Sequence, residues 1–480
     1  MSSFTALELG KRALLAQRFG LDVTSANIAN VNTPGYSRRS AVISESPSIR
    51  VNGSYLGSGA EATGLRSFRQ EFFDRELRAT SSSLAGFELD EQMMQRLEGL
   101  LGEPSADGIS ETVGAMFSSF NELAQNPEDT ALRGKVLMQI GALASRLNSV
   151  AEKFQAARNE AYTDLENKVK NANALAKDIA SLNNSIELAK GKNGAEPQSL
   201  VDERAQKLEA LTKLGQITVS YDEDGSANAF MNGIAIVTGG ETNELTLSET
   251  VDSATGERTA LLEAFNPAKN SKTSVAPAAG EIASLMKHYN VTLDNRDSSG
   301  GFSAYANLDK FASELATQLN AISINGYGLD DTGAVSPGRH IFEPIAGEIT
   351  AANIKISADI AGAPRNLPLS GASAEPGNSV IARSLGRLGA DSAFLDGFNP
   401  SNYFANFVGQ VGSLYREATN GKATYKFMTD QLESQRESQM GVNLDEEAVN
   451  LIKFQKAFDA SSRIVNTTNE ILTTIVNLGR

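Results

Sequence analysis

Gly441 to Leu478 reads GVNLDEEAVNLIKFQKAFDASSRIVNTTNEILTTIVNL. Leu444, Leu451, Phe458, Val465 and Leu472 recur every seven residues. Phe454 and Ile475 fall on the same face, and Ile464, Ile471 and Leu478 widen it. A seven-residue apolar repeat marks a helix that packs along its length. The repeat itself fits either an ordinary core helix of a globular domain or a helix that seeks long partners.

The other end of the chain carries a thinner version of the pattern. Leu7, Leu14, Leu21 and Ile28 also recur every seven, but Gly10, Gln17 and Thr24 between them are small or polar, so the seam is narrow. It runs into SANIANVNTPGYSRR, Ser25 to Arg39, where Asn32, Pro34, Gly35, Tyr36 and Arg38 form a turn motif. Pro34 and Gly35 suit the central positions of a type II turn, with Gly35 supplying φ > 0. Tyr36 is placed to pack at the corner. Arg38 and Arg39 either bridge to acids on a neighbouring subunit or sit in a solvated loop.

Between the ends the spacing stays helical. Ile140, Leu143, Leu147, Val150, Phe154, Ala157 and Ala161 alternate three and four apart, and Leu165, Val169, Ala172, Ala176 and Ile179 continue the face. The pattern predicts one long helix from about Pro127 to Lys190. Phe404, Val411, Ala418, Tyr425 and Leu432 give another, and Phe311 to Ile322 a shorter one. Strand signals gather from Gln216 to Phe265, with turns at Asp224-Gly225 and Asn232-Gly233. Asn266 to Gly280 reads as a linker back to helix, and Ile349 to Ile360 as a second, weaker strand stretch. The fold class expected is mainly α with inserted β: an elongated helical rod built from both chain ends, with a small β-rich outer domain. Residues 34–215 and 276–443 would form the discontinuous rod with short β hairpins, and 216–275 the inserted β-rich domain.

Composition excludes several functions. The chain has 480 residues, enough for several domains, and 41% are hydrophobic, enough to fill cores. A net charge of −15 disfavours nucleic acid or an anionic membrane as partner, because either needs a basic face. With no cysteine there are no disulfides and no thiolate-bound metals. No apolar run approaches the roughly 20 residues that span a bilayer. The N-terminal stretch has charges where a Sec signal needs an apolar core, so no Sec-type signal is expected.

No catalytic constellation stands out, and neither a cofactor nor a metal is expected. His288 and His340 are far apart in sequence, with no GxSxG motif, and read as structural or surface residues. Asp222 to Gly225 and Leu293 to Gly301 fail the spacing of a calcium loop. Gly57 to Gly59 is too short for a phosphate loop. A glycan-cleaving enzyme would need a carboxylate pair, and nothing singles one out.

The terminal motifs carry a family resemblance. Ser25 to Arg39 resembles the N-terminal motif of bacterial flagellar axial proteins, and its Gly-Tyr-Ser-Arg ending is most similar to the FlgK family of hook-associated proteins. Gly441 to Leu478 resembles that family's C-terminal segment. Phe120 to Leu137 (FNELAQNPEDTALRGKVL) and Ser199 to Val219 (SLVDERAQKLEALTKLGQITV) agree with it. The central region, Tyr221 to Ala374, departs from the pattern. So does Asp202-Glu203-Arg204-Ala205, where the family usually has Asp-Gln-Arg-Asp.

The resemblance implies a structural protein of the flagellum, not an enzyme. It would form the hook–filament junction as a self-associating ring, touching the hook protein on one side and a second junction protein, hook-associated protein 3, on the other. It would leave the cell by the flagellar type III system to an extracellular place on the flagellum, with an export chaperone of the FlgN type as partner. Residues 1–33 and 444–480 would pair as an inner-tube coiled coil, making Leu7, Leu14, Leu21, Ile28, Leu451, Phe458, Val465, Leu472 and Ile475 the assembly interface. A distal-rod or hook protein shares the N-terminal motif and stays open as an alternative, as does a secreted coiled-coil adhesin.

Energetics bear on the terminal segments separately. Ordering roughly 30 residues costs tens of kcal/mol of backbone entropy at about 1–2 kcal/mol each. Each buried large apolar side chain returns only about 1.5–3 kcal/mol, and the N-terminal seam has few. The isolated segment is therefore marginal and calls for a long partner.

Overall fold

The computed structural model describes residues 3–33, 35–51, 54–103, 105, 108–190, 197–253, 258–294, 301–345 and 347–478. The N-terminal helix α1 (Ser3–Ala29) leads into strands β1 (Arg39–Glu45), β2 (Ile49–Val51), β3 (Ser54–Leu56) and β4 (Ala60–Ser67). Helices α2 (Glu71–Leu101), α3 (Ile109–Leu123), α4 (Thr130–Ala189) and α5 (Gln198–Leu214) follow. The β-rich part comprises β5 (Ile217–Tyr221), β6 (Ala227–Met231), β7 (Ile234–Thr238), β8 (Glu241–Thr242), β9 (Glu244–Val251), β10 (Arg258–Asn266) and β11 (Ser271–Ser274). The chain then returns to helix in α6 (Glu281–Lys287), a π-helical turn His288–Thr292, α7 (Ala304–Ser323), α8 (Val380–Leu388), α9 (Pro400–Met440) and α10 (Leu444–Leu478).

The rod is organised around α4. Asp129 caps it, its side chain accepting from the amides of Ala131 (2.7 Å) and Leu132 (3.2 Å). At 1.5 Å per residue its length is about 90 Å. The three-and-four alternation from Val136 through Ile140, Leu147, Phe154, Leu165, Ala172 and Ile179 is buried throughout. Arg133, fully buried near its start, donates to the carbonyls of Pro127 (2.6 Å) and Leu367 (2.8 Å).

Beside α4, α2 and α9 run antiparallel. Phe87 stacks on Tyr425 with ring centroids 5.4 Å apart, and Lys422 meets Glu91 at 2.7 Å. Gly421 leaves the room that Phe87 fills, since a Cβ there would lie 2.5 Å from its ring. Helices from both sides of the β insert therefore make one rod. It is mainly α, built from both chain ends, with a small β-rich part.

That part holds a four-stranded sheet in the order β5-β6-β7-β8 and a three-stranded one in the order β11-β10-β9. Asn232 (φ +46°) and Gly233 (φ +80°) make the β6–β7 turn, both left-handed as a two-residue type I′ hairpin requires. Asn183 of α4 donates to the carbonyls of Ala227 and Gly239, and Asn173 exchanges two hydrogen bonds with the backbone of Leu245. The sheets thus dock on the distal half of α4.

Two sequence expectations are corrected. Ile349 to Ile360 forms turns, touching Phe342 through one bridge at Ile356. Its carbonyls at Ala351 and Ile354 accept from the Asn148 amide, and Asn353 caps Thr350, so side chains satisfy the backbone without a ladder. Asn266 to Gly280 is not merely a linker, because β11 pairs with β10 and Lys272 meets Glu263 at 3.0 Å across the hairpin.

The same Ile349 to Ile360 segment yields a pH prediction. Burial pushes the Asp309 carboxyl of α7 up to about 7; the Ala351 amide, 2.8 Å away, opposes the shift and Glu348 adds to it. A carboxyl raised in the folded state adds stability fully present below its unfolded value near 3.8, lost as pH rises through about 7. Asp309→Asn keeps the acceptor for Ala351 and removes the ionisation. The Tm gap between this variant and the parent should be smallest near pH 4 and widen by a few degrees up to pH 8 in the variant's favour, measured by calorimetry. A constant gap across that range would refute the assignment.

Candidate assembly interface

Helices α1 and α10 lie antiparallel along each other, in a register set by three observed contacts. A Cβ on Gly10 would sit 2.7 Å from Val465 Cγ2, and one on Gly20 would sit 2.6 Å from the Phe454 ring. At the rod end, Asn27 Nδ2 donates to Glu447 Oε2 at 3.1 Å. Small residues on α1 thus admit larger ones on α10. Each glycine in a helix interior costs about 1 kcal/mol relative to alanine, so α1 trades intrinsic helicity for close approach.

The seam residues expected from the sequence divide. Leu7, Leu14, Leu21 and Ile28 are half-buried, flanking the small-residue stripe. Leu451, Phe458, Val465 and Leu472 are half-buried on α10. Ile475, expected on the same face as Phe454, is exposed because the observed register puts it past the start of α1 at Ser3. With Ile464 at 47%, Ile471 at 51%, Ile475 at 53% and Leu478 at 81% exposed, a second apolar stripe is left open on α10. The repeat could show a face but not that the helix has two.

At the rod end the turn motif builds a polar clasp. Gly35 has φ +74°, and the Tyr36 amide donates to the Thr33 carbonyl at 3.2 Å. Pro34 lies outside the described residues. Asn32 is exposed on the turn, and a Cβ on Gly35 would meet the Gln206 side chain at 2.6 Å. A cavity of about 440 Å³ opens here between Thr33, Gln206, Arg436 and Met440. The Tyr36 hydroxyl donates to Asn27 Oδ1 at 2.8 Å, and the Arg39 guanidinium lies 4.8 Å above its ring. Burial raises the Tyr36 pKa, with Arg39 pulling against it.

The two arginines find acids in their own chain, which corrects the expectation of a neighbouring subunit or a solvated loop. Arg38 pairs with Glu447 and Glu446, each at 2.8 Å, and its amide donates to the Met440 carbonyl. Arg39 pairs with Asp202 of α5. Asp202 also faces Arg69 at 3.6 Å, and Arg69 meets Asp74 of α2 at 2.6 Å. Burial lifts the Asp202 carboxyl above the usual carboxylate range although Arg39 and Arg69 pull it down. Burial disfavours the Arg69 charge, but Asp74 outweighs it and the net shift is upward. These links fasten the terminal pair to the rod. Asp202, Arg69, Asp74 and Glu447 were not singled out from the sequence as members of this cluster.

Of the two histidines, His288 is fully buried with Nε2 2.9 Å from Asp90 Oδ1, and His340 borders a cavity beside α7. Burial alone would raise the Asp90 carboxyl, but the His288 contact, the hydrogen bond from Ser284 and the charge of Lys287 outweigh it and hold it down at about 2. Among the described residues no helix is long and apolar enough to cross a membrane.

The comparisons follow this architecture. The flagellar hook-associated protein FlgK helical domain model matches residues 94–342. Two basal body rod protein models match the ends, at 7–36 and 433–478. The chain is 25% identical to flagellar hook-associated protein 1 of Bacillus subtilis, with 99% of this chain and 98% of that protein covered. It is 22% identical to the protein of that name from Salmonella typhimurium, covering 97% and 98%. The structure of the flagellar hook junction protein FlgK from Burkholderia pseudomallei superposes with a TM-score of 0.63 at 12% identity, over 76% of this chain and 100% of that one. Since the helical-domain model spans more than half of the sequence and the terminal models fall on α1 and α10, the chain belongs to the flagellar hook-associated protein FlgK family.

Proposed function

We propose that the chain is a structural protein of the bacterial flagellum that forms the hook–filament junction and assembles through α1 and α10. The observation that carries this reading is the open apolar stripe on α10. Ile464, Ile471 and Leu478 recur every seven residues and are exposed, Ile464 at the edge of the face that α1 covers, and Ile475 joins them past the start of α1. Copies arranged in a ring would bury that stripe against the next subunit, with the hook protein below and hook-associated protein 3 above. Leu7, Leu14, Leu21, Ile28, Leu451, Phe458, Val465 and Leu472 close the pair that presents it. Before assembly, an export chaperone of the FlgN type would cover the stripe, and the flagellar type III system would carry the chain out of the cell.

The resemblance to rod proteins at both ends leaves a rod or hook protein as the second reading, but the helical-domain match at 94–342 favours the junction. A deletion strain separates them. Electron microscopy should show complete hooks without filaments, with filament subunits in the medium, and the intact gene should restore filaments. Loss of the hooks themselves would favour the rod or hook reading. Normal filaments would refute both.

A further inference from the structure

We propose that Glu447 is a positioning residue that fixes the register of the α1–α10 pair. The apolar part of the seam reads the register at one place, where Phe454 fills the room that Gly20 leaves. Elsewhere it is indifferent: Leu451, Phe458, Val465 and Leu472 repeat every seven residues, so a slip of one heptad, about 10 Å, offers Gly10 and the other places they fill another large apolar side chain. Two polar residues in the seam are equally indifferent. Ser461 and Thr468 are buried, but each hydroxyl donates to its own helix, to Ala457 at 2.8 Å and Ile464 at 2.7 Å. Those bonds survive any slip.

The contact between Asn27 and Glu447 does not. Glu447 is 2% exposed and Asn27 is 1% exposed. Both carboxylate oxygens are used: Oε1 accepts from Arg38 Nε at 2.8 Å and Oε2 from Asn27 Nδ2 at 3.1 Å. Asn27 is equally occupied. Its Oδ1 accepts from the Tyr36 hydroxyl and the Arg39 amide, and its Nδ2 also donates to the Arg39 carbonyl at 2.7 Å. The donors belong to the turn motif, which Arg39 and Asp202 hold on the rod. A heptad slip carries the carboxylate about 10 Å from these donors and strands Asn27 and Arg38. A buried polar pair at a seam position selects one register at some cost in stability. Slippage would also shift the open stripe on α10 relative to the rod, so the register decides where a neighbouring copy finds it. This inference concerns the pair within one chain and stands apart from the junction reading.

The chain contains no cysteine, so introduced pairs report the register cleanly. The observed contacts set Ala13 opposite Ser461, and a one-heptad slip sets it opposite Thr468. Ala13→Cys is combined with Ser461→Cys or with Thr468→Cys in the full chain and equilibrated in a glutathione buffer. Intramolecular disulfide is then quantified by mass spectrometry. With Glu447 present, the 13–461 disulfide should exceed the 13–468 disulfide at least tenfold. With Glu447→Leu, which adds apolar surface to the seam, the ratio should fall at least threefold, the fit of Phe454 against Gly20 keeping the remainder. An unchanged ratio in Glu447→Leu, or equal yields with Glu447 present, would overturn the proposal. Loss of both disulfides in Glu447→Leu would also overturn it, showing that Glu447 holds the helices together without choosing between registers.

Discussion

Val465→Asp should give a soluble, folded protein that fails to join the hook, and cells carrying it should not swim. The expectation rests on how closely the helices approach at that point. Val465 Cγ2 lies 2.7 Å from the place a Gly10 Cβ would take, so the side chain rests on the backbone of α1. A carboxylate there meets the α1 backbone, whose amides are bonded within the helix, and burying an unpaired charge costs several kcal/mol. The terminal pair separates sooner than accept it. The rod keeps its stability, because its largest buried side chains, among them Phe120, Phe154, Phe311 and Phe404, lie on α3, α4, α7 and α9. Leu14→Asp should act in the same direction but more weakly, since Leu14 flanks the small-residue stripe whereas Val465 rests on the backbone at Gly10. Glu8→Gln, on the exposed side of α1, should assemble normally. Three measurements decide: swimming in soft agar, protein retained on isolated hooks, and protein in the culture supernatant. The supernatant separates failed assembly from failed export, which matters because α10 is also the expected chaperone surface. A drop of many degrees in the Tm of purified Val465→Asp would place the seam in a globular interior and sink the assembly reading.

The elements that were legible in the sequence are those whose chemistry is local. The face of α4 could be counted from Ile140 to Ile179 because every third or fourth residue meets the same packed interior. The turn at Asn232-Gly233 could be named because few residues adopt two successive left-handed conformations. Residues whose meaning comes from a distant partner could not be ranked. Asn27 and Glu447 are 420 positions apart, and each alone looks like a polar interruption of a seam. Gly10 and Gly20 weaken α1 by propensity, and only the bulk of Val465 and Phe454 opposite explains them. Small residues at helical spacing within the narrow leucine seam were the available signal for close approach. The segment around Ala351 misled because its β-branched residues alternate, while Asn148 takes the hydrogen bonds a strand would need.

Where the rod meets the β-rich part, one buried ion pair should dominate stability. Arg158 of α4 reaches Asp294 at 3.2 Å, both among the most buried charged groups of the protein. The guanidinium also donates to the carbonyl of Tyr289 at 3.1 Å, in the π-helical turn, and to that of Arg258 at 2.7 Å, at the start of β10. It lies 4.6 Å over the Tyr289 ring. Burial, and then the hydrogen bond to Glu249, push the Tyr289 phenol up, so it stays neutral and donates. A single side chain therefore joins α4, the π-helical turn and the three-stranded sheet. Removing one partner of a buried pair costs about 3–5 kcal/mol because the other charge stays behind, whereas replacing both with apolar groups is often nearly neutral. Arg158→Met should lower stability by about that amount in denaturant titration. Arg158→Met with Asp294→Leu should recover more than half of the loss, with the Tyr289 and Arg258 carbonyls still deprived of their donor. Hydrogen exchange should locate the damage in β10 and the π-helical turn, while α3 keeps its protection. The same variant should still join the hook, because α1 and α10 take no part in this contact. A double variant less stable than Arg158→Met would show that Asp294 serves the fold through other partners, and that the guanidinium acts mainly through its carbonyl bonds.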